Sequence, residues 1–524
     1  MWGPLRRPLF RAVWIAALAS NIGTWMHDTS AAWLMTTLSP SPLLVALMQT
    51  ATSLPFFLLA LPAGALADVV DRRRLLLATQ AWLLVGAATL GGAAVAHVIT
   101  PGLLLGVTFF LGIGAAMTAP AWQAVTPELV PREELSAAVA LGGVALNAAR
   151  AVGPALGGVV VAAAGPAAVF FLNAASFVGV LVVLARWRRP RDHGELPAEW
   201  VVGALRAGLR YVRHSAPLHT VLARSALFVL FASAVWALLP LVARRELGLD
   251  ATGYGLLLGC LGAGAITGAA LLPRLRAATT VDRMLAGAGL AYAVGTLVVG
   301  LVRVVPVVAA GTALVGCAWM VTMSTISIAA QEVVPGWVRA RALAAGLLAI
   351  QGSMALGAVC WGAAATRVGI PATLAASGAG LLLGLLVVPR WPLAAIQALD
   401  LTPTRHWAAP ELVGETAPDE GPVLVTAEYL IDPARAEEFV DAMQAVEDFR
   451  RRDGAIEWGL YRDGAEPGRY VETFLVESWV DHLRQHDRVT AADRAIETRV
   501  RRFILDGGSP RVTHLISHRP TRRR

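Results

Sequence analysis

The sequence contains no lysine, and all 44 of its basic residues are arginine. A phosphate-binding loop of the type GxxxxGK[ST] needs that lysine to reach the nucleotide phosphates, so a primary ATP-driven pump is excluded. Cysteine is nearly absent as well. Cys260, Cys317 and Cys360 fall singly in apolar runs without CxxC spacing, which leaves neither a disulfide framework nor a zinc site. Neither a metal nor a cofactor is implied. Charge is scarce, at 15% of residues against about 25% in soluble domains, while 56% are hydrophobic. The net charge of +8 on so apolar a chain is that of a protein facing an anionic membrane leaflet, and nucleic acid is not expected as a partner.

What is present is membrane-spanning length. About 20 apolar residues cross a bilayer, and twelve runs before residue 392 are long enough. They cover 11–37, 43–66, 74–98, 102–122, 136–164, 167–186, 217–243, 251–273, 283–303, 306–330, 342–366 and 371–389. The first run follows Arg6, Arg7 and Arg11 without a small-residue cleavage site and is read as a retained helix. In the first half, arginine sits at Arg72, Arg73, Arg74, Arg132 and from Arg186 to Arg213, whereas the opposite loops carry none. The positive-inside rule then places both termini in the cytoplasm, against Arg244, Arg245, Arg303 and Arg367 of the second half. Between the sixth and seventh runs, Leu196, Trp200, Val201, Leu205, Leu209 and Val212 share one helical face, as in an amphipathic helix on the inner membrane surface.

The two halves repeat. Pro127-Glu128-Leu129-Val130-Pro131 recurs 204 residues on as Gln331-Glu332-Val333-Val334-Pro335, and the same offset carries Gly64 to Gly268, Gly153 to Gly357 and Gly158 to Gly362. Parallel halves with a substrate path between them are one transporter architecture.

After the second run the chain reads Gly64-Ala65-Leu66-Ala67-Asp68-Val69-Val70-Asp71-Arg72-Arg73-Arg74. This resembles the signature of the major facilitator superfamily, Gly-x-Leu-Ala-Asp-Arg-x-Gly-Arg-Arg. Gly64, Leu66, Asp68, Arg72 and Arg73 are in register with it, and Val69 and Asp71 depart. The resemblance is to the enterobactin-exporter-like, transmembrane secretion effector branch. It implies a twelve-helix fold of two six-helix halves and a gate formed by Gly64, Asp68, Arg72 and Arg73. Gly153-Pro154-Ala155-Leu156-Gly157-Gly158 resembles the fifth-helix motif of exporters, in which Gly153, Pro154, Gly157 and Gly158 thin and kink the helix; the motif's preceding glycine is Ala149 here. The fourth-helix arginine of the superfamily is missing from 102–122, so proton coupling through it is not expected.

Ionisable groups at membrane depth are functional candidates by default. Asp28 and Arg150 are the two such groups, read as facing the path and pairing with each other, and Asn147 lies one turn from Arg150. A purely structural buried pair is the other reading. Asn21, Gln49, Gln123, Asn173, Gln331, Gln351, Trp25, Trp33, Trp122 and Trp319 are available to line the path, or serve as interhelical and interfacial groups.

Beyond residue 392 the chain turns polar. A linker precedes strands at 423–430, 456–461, 469–477 and 511–517, and helices at 433–452 and 479–503. That βαββαβ order is ferredoxin-like. It resembles antibiotic-biosynthesis-monooxygenase-like domains, with Gly454-Ala455-Ile456-Glu457-Trp458-Gly459 among the matching patterns, and implies no definite catalytic residue. Leu424, Phe474 and Val476 are read as a sheet face covered by a second copy, giving a homodimer. His482 and His486 have metal-like spacing but, with Arg484, Asp487, Arg488 and Asp493, are read as a solvated face.

The domains expected are thus 1–186 and 217–392 for the membrane halves, 187–216 for the amphipathic linker, 393–421 for a second linker and 422–520 for the soluble tail. The function expected is secondary export of siderophores, drugs or other small hydrophobic molecules across the inner membrane. The alternatives are an importer or a membrane-anchored monooxygenase-like enzyme. A single Cys placed at His193 should be labelled only from the cytoplasmic side, and periplasmic labelling would invert the topology.

Overall fold

The computed structural model describes residues 2–187, 201–335, 337–387, 392–393, 400–402, 404, 407, 417, 420–505 and 509–517, without the side chains of 61, 65, 67–69, 124, 127, 132, 201–207 and 340. The chain divides into two compact units. The first comprises Met1–Glu195, Leu222–Ser327 and Gly346–Trp391; the second comprises Leu196–Val221, Ile328–Ala345 and Pro392–Arg524.

The first unit is helical, as lipid requires, because a helix satisfies its backbone groups within the segment. Its helices are α1 (Pro8–Leu38), α2 (Pro42–Val69), α3 (Arg72–Val95), α4 (Pro101–Leu129) and α5 (Leu135–Arg186). Beyond the linker helix α6 (Val201–His214) follow α7 (Ala216–Leu241), α8 (Ala251–Ala278), α9 (Val281–Leu301), α10 (Val305–Glu332), α11 (Arg339–Val368) and α12 (Ile370–Val387). Among the described residues, ten helices are long and apolar enough to cross a membrane. Helix α1 is not one of them, because Arg11, Asn21, His27 and Asp28 dilute its apolar run. The 52-residue α5 turns at Gly165, whose φ of 78° suits glycine, and Pro166 follows.

Helix starts follow local chemistry. Pro8, Pro42 and Pro101 open α1, α2 and α4, where the missing N–H costs nothing. Asp71, Thr100, Asp250 and Thr280 cap α3, α4, α8 and α9 with side-chain oxygens. The core joins both halves through Met35, Leu104, Phe170, Leu238 and Tyr292. Thr50 also donates to the Ala355 carbonyl at 3.0 Å.

In the second unit, β1 (Val423–Leu430), β2 (Glu457–Arg462), β3 (Arg469–Val476) and β4 (Arg511–Ile516) form one antiparallel sheet in the order β2-β3-β1-β4. Helix α13 (Ala436–Asp453) joins β1 to β2, and α14 (Trp479–Arg488) and α15 (Ala491–Arg501) join β3 to β4. The sequence suggested one helix over 479–503. The chain breaks it because Thr490 and Asp493 form a reciprocal capping box that starts a new helix. Phe474 and Val476 are not on a free face either. They are buried with Val423, Val425 and Trp479, and the opposite face instead pairs Leu424 with Leu475 and Leu515.

Glu472 lies at the centre of this unit, wholly buried, accepting from Arg450 Nε at 3.0 Å, Tyr429 Oη at 2.8 Å and Trp458 Nε1 at 3.0 Å. Burial opposes the Arg450 charge, but Glu472 and Glu497 outweigh it and hold the guanidinium above its ordinary pKa. Helix α6 belongs to the same unit. Its Tyr211 is buried and donates to the Val333 carbonyl at 3.2 Å, so this part of α6 packs on protein where a membrane surface was expected. Leu196 and Trp200, and the side chains of Val201 and Leu205, lie outside the described residues.

His482 is 1% exposed, and burial, with the charges of His486 and His514, lowers its pKa to about 3. Burial lowers His514 as well. His482 therefore stays neutral in the fold while the unfolded chain protonates near 6.5, so stability present above that pH is lost as pH falls. It contributes a slope of about 1.4 kcal/mol per pH unit between about 6.5 and 3. Hydrogen exchange of residues 423–516 in the full chain, corrected for intrinsic rate, should show loss of protection from pH 7.5 to 5, and His482→Gln should flatten it. A pH-independent profile would contradict the buried neutral His482.

Candidate functional site

Three helix faces set the geometry of the site. On α5, a Cβ at Gly153 would lie 2.6 Å from Trp25 Cβ, and one at Gly157 would lie 2.9 Å from Met26 Cα, so α1 packs against bare backbone. The Gly158 Cβ position lies 3.1 Å from Gly255 Cα on α8, and a Cβ at Gly262 would lie 2.7 Å from Ala151 Cα. Without a hydrophobic drive between helices in lipid, such close backbone approach is what holds them together. The dihedrals remain helical through Pro154, and Gly165 alone departs, so the motif Gly153, Pro154, Gly157 and Gly158 is a contact surface and the turn lies beyond it.

This packing frames a cavity of about 270 Å³ lined from both halves by α1, α2, α4, α5, α7, α8, α10 and α11. Asp28 and Arg150 both face it. They do not pair. The Arg150 guanidinium lies 5.4 Å above the Trp25 ring, its Nε is buried without a hydrogen-bond partner, and no ion pair joins it to Asp28. The expected pair is thereby corrected to two separate charges in one cavity. Asn147 is not part of the lining, because its amide donates to the Gly143 carbonyl at 3.0 Å on its own helix.

Of the other polar groups expected along a path, Gln49, Gln351, Trp25 and Trp319 line the cavity, and Asn21, Gln123, Asn173, Gln331, Trp33 and Trp122 do not. The sequence reading missed Thr52, Thr108, Trp236 and Tyr254. Trp236 meets Trp319 edge-on at 5.5 Å, and its indole nitrogen and Thr108 Oγ1 are buried without partners. One available signal went unused: the 204-residue repeat carries Asn147 to Gln351 and Arg150 to Met354, both of which line the cavity.

At the end of the first half that holds the motif, Arg72 pairs with Glu128 of α4 at 2.7 Å. Arg73 donates to the Leu184 and Ala185 carbonyls at 2.9 and 2.8 Å, placing a cation at the C-terminal end of α5. Asp71 caps α3 by accepting from Arg74 N at 2.9 Å. Gly64 lies on α2, where a Cβ would meet nothing within 4 Å, and the Asp68 side chain lies outside the described residues. Among the described residues no group of three or more His, Cys, Asp or Glu could hold a metal.

Long apolar helices around a cavity with charged lining are the features of a membrane transporter. Residues 1–522 match the transmembrane secretion effector family of the major facilitator superfamily, and the chain belongs to that family. It is 30% identical over 328 residues to the enterobactin exporter EntS of Salmonella typhimurium, covering 61% of this chain and 76% of that one. It is 27% identical over 314 residues to the uncharacterised transporter YfiS of Bacillus subtilis, covering 57% and 71%. A staphyloferrin A transporter of Staphylococcus aureus is 27% identical over 165 residues, covering 31% and 42%. Among solved structures, a bacterial homologue of the iron transporter ferroportin in an inward-facing state shares the fold, with TM-score 0.56, 17% identity and coverage of 73% and 98%. The chain is a multi-pass transporter, as its relatives are, and not an enzyme.

The close contact of α5 with α8 predicts a position-specific cost. Gly158→Val should destabilise the protein by about 1–3 kcal/mol through overpacking. Gly143→Val on the same helix, where a Cβ meets nothing within 4 Å, should be nearly neutral. Thermal unfolding of both variants in detergent checks this, and equal midpoints would deny the contact.

Proposed function

We propose that this protein exports small molecules with both apolar and charged parts, siderophores and drugs among them, by alternating access between its two halves. The observation that carries the reading is the shared cavity, in which Asp28 and Arg150 stand unpaired opposite Trp236 and Trp319. Arg150, resting on Trp25, anchors an anionic group of the substrate. Asp28 is the coupling site. Asn147 enters the path when α5 turns. Gly64, Asp68, Arg72 and Arg73 form the gate, which the Arg72–Glu128 pair supports. The relatives named for enterobactin export and staphyloferrin A transport support a siderophore as cargo.

Twelve spans follow if α5 is counted as two about Gly165 and α1 is added to the ten apolar helices. The proposed setting is the inner membrane with both termini cytoplasmic. The strand order β2-β3-β1-β4 supports a ferredoxin-like, monooxygenase-like tail with a regulatory or assembly role. A second copy on the Leu424, Leu475 and Leu515 face is the partner proposed for it.

Inside-out vesicles should accumulate a labelled siderophore or a hydrophobic anionic dye from the panel tested, and right-side-out vesicles should not. Asp28→Asn and Arg150→Gln should each lower flux about tenfold or more, since each removes a charged contact. As the two charges are unpaired, the losses should add in the double variant. Accumulation only in right-side-out vesicles would identify an importer, and compensation in the double variant would restore the pairing.

A further inference from the structure

The transport reading leaves one cluster of the second unit unused. Three elements meet at Gly454, whose φ of 144° ends α13. From α6, Arg210 Nη1 donates to the Gly454 carbonyl at 3.4 Å. From α14, Gln485 Nε2 and Arg488 Nη1 lie 3.5 and 3.6 Å from the place a Cβ on Gly454 would occupy. Arg488 also donates to the Asp453 carbonyl at 2.7 Å. From the segment before α11, the Trp337 ring lies 4.1 Å beneath the Arg488 guanidinium and meets Tyr211 edge-on at 5.8 Å.

These groups are donors short of acceptors. Arg210 Nε, Gln485 Nε2 and Trp337 Nε1 are buried without a hydrogen-bond partner among the described residues, and Gln485 is 1% exposed. Buried polar groups are ordinarily satisfied, so three exceptions on neighbouring elements call for an acceptor. Of the acids nearby, three are engaged elsewhere, and Glu477 adds a further carboxylate charge near Arg210. Asp453 and Asp493 hold Arg452 at 2.8 and 2.7 Å, and Asp481 holds Ser478 and Arg484 at 2.8 and 3.1 Å. Neither Arg210 nor Arg488 has a carboxylate in ion-pair contact among the described residues. Burial lowers both guanidinium pKa values, an effect that Asp481 and Asp453, with Glu477 at Arg210, only partly offset.

We propose that Arg210, Gln485, Arg488 and Trp337 form a binding site for a phosphate group, which fastens α6 and the segment before α11 to the tail. A phosphate offers several acceptor oxygens at once and matches the planar fork of arginine. Helix α6 runs on into α7, and Trp337 leads into α11. The bound anion therefore holds the chain just before α7 and just before α11. The proposal does not depend on the direction or cargo of transport.

The test uses the full chain. In detergent, millimolar inorganic phosphate should slow hydrogen exchange at 208–214 and 450–455 several-fold and saturably, relative to chloride at equal ionic strength. Arg210→Gln and Arg488→Gln should each weaken the apparent affinity about tenfold or more. Trp337→Phe keeps an aromatic face under Arg488 but removes the indole N–H with part of the ring, so it should weaken the phosphate-dependent protection less than either arginine variant does. Protection seen in phosphatidylglycerol nanodiscs but not phosphatidylcholine ones, and lost in Arg488→Gln, would assign the phosphate to a lipid headgroup. Equal exchange in chloride, phosphate and both nanodiscs, or protection retained by both arginine variants, would overturn the site.

Discussion

The contact on which the membrane part depends is that of α5 with α1 and α8 through its glycines. Lipid gives helices no hydrophobic reason to associate, so their packing rests on van der Waals contact, which is strongest where backbones can touch. Gly153 admits the root of Trp25, and Trp25 in turn carries the Arg150 guanidinium one turn back on the same helix. Pro154 lacks the N–H that would otherwise bond the Arg150 carbonyl, so the backbone is loosened at the residue holding the charge. One face of α5 thus places the cation while another joins the two halves at Gly158 and Gly255.

The Glu472 network of the second unit handles burial of charge differently. Arg450 is enclosed with Glu472 and Glu497, and Glu472 also accepts from Tyr429 and Trp458. Such a network contributes little net stability over an apolar core, yet leaving one member unpaired would be costly. Around the cavity the charges are left unpaired, which in a static core would be a fault. A group that must hold and release a solute gains from being unsatisfied until the solute arrives.

How much of this could be read from the sequence depended on how sharply a residue broke its local pattern. Asp28 and Arg150 were legible because an ionisable side chain in an apolar run has few structural excuses. Their separation was not, because helix rotation and the Trp25 contact decide it, and neither leaves a mark on composition. Trp236 and Tyr254 were overlooked because aromatic residues in spans are common, and which face of α7 or α8 meets the cavity depends on packing with the other half. In the tail, strand order followed from alternation, but Thr490 and Asp493 restarted a helix in a stretch that reads as continuous. Phe474 and Val476 were put on the wrong face of the sheet because a two-residue period gives the alternation and not its sense.

The internal repeat shows where the two halves differ. The offset that matches their glycines carries Arg150 to Met354, Asp28 to Ala232 and Gln49 to Gly253. The halves therefore share a packing scaffold while the charged side chains of the cavity belong to the first, and the second contributes Trp236, Tyr254, Trp319, Met354 and Gln351. In the proposed export, a solute held between them would meet Asp28, Arg150 and Trp25 of the first half and Trp236, Tyr254 and Trp319 of the second. Because both charges belong to one half, rocking the halves apart would separate the two sets of contacts. The asymmetry between the repeats would then serve release as well as binding.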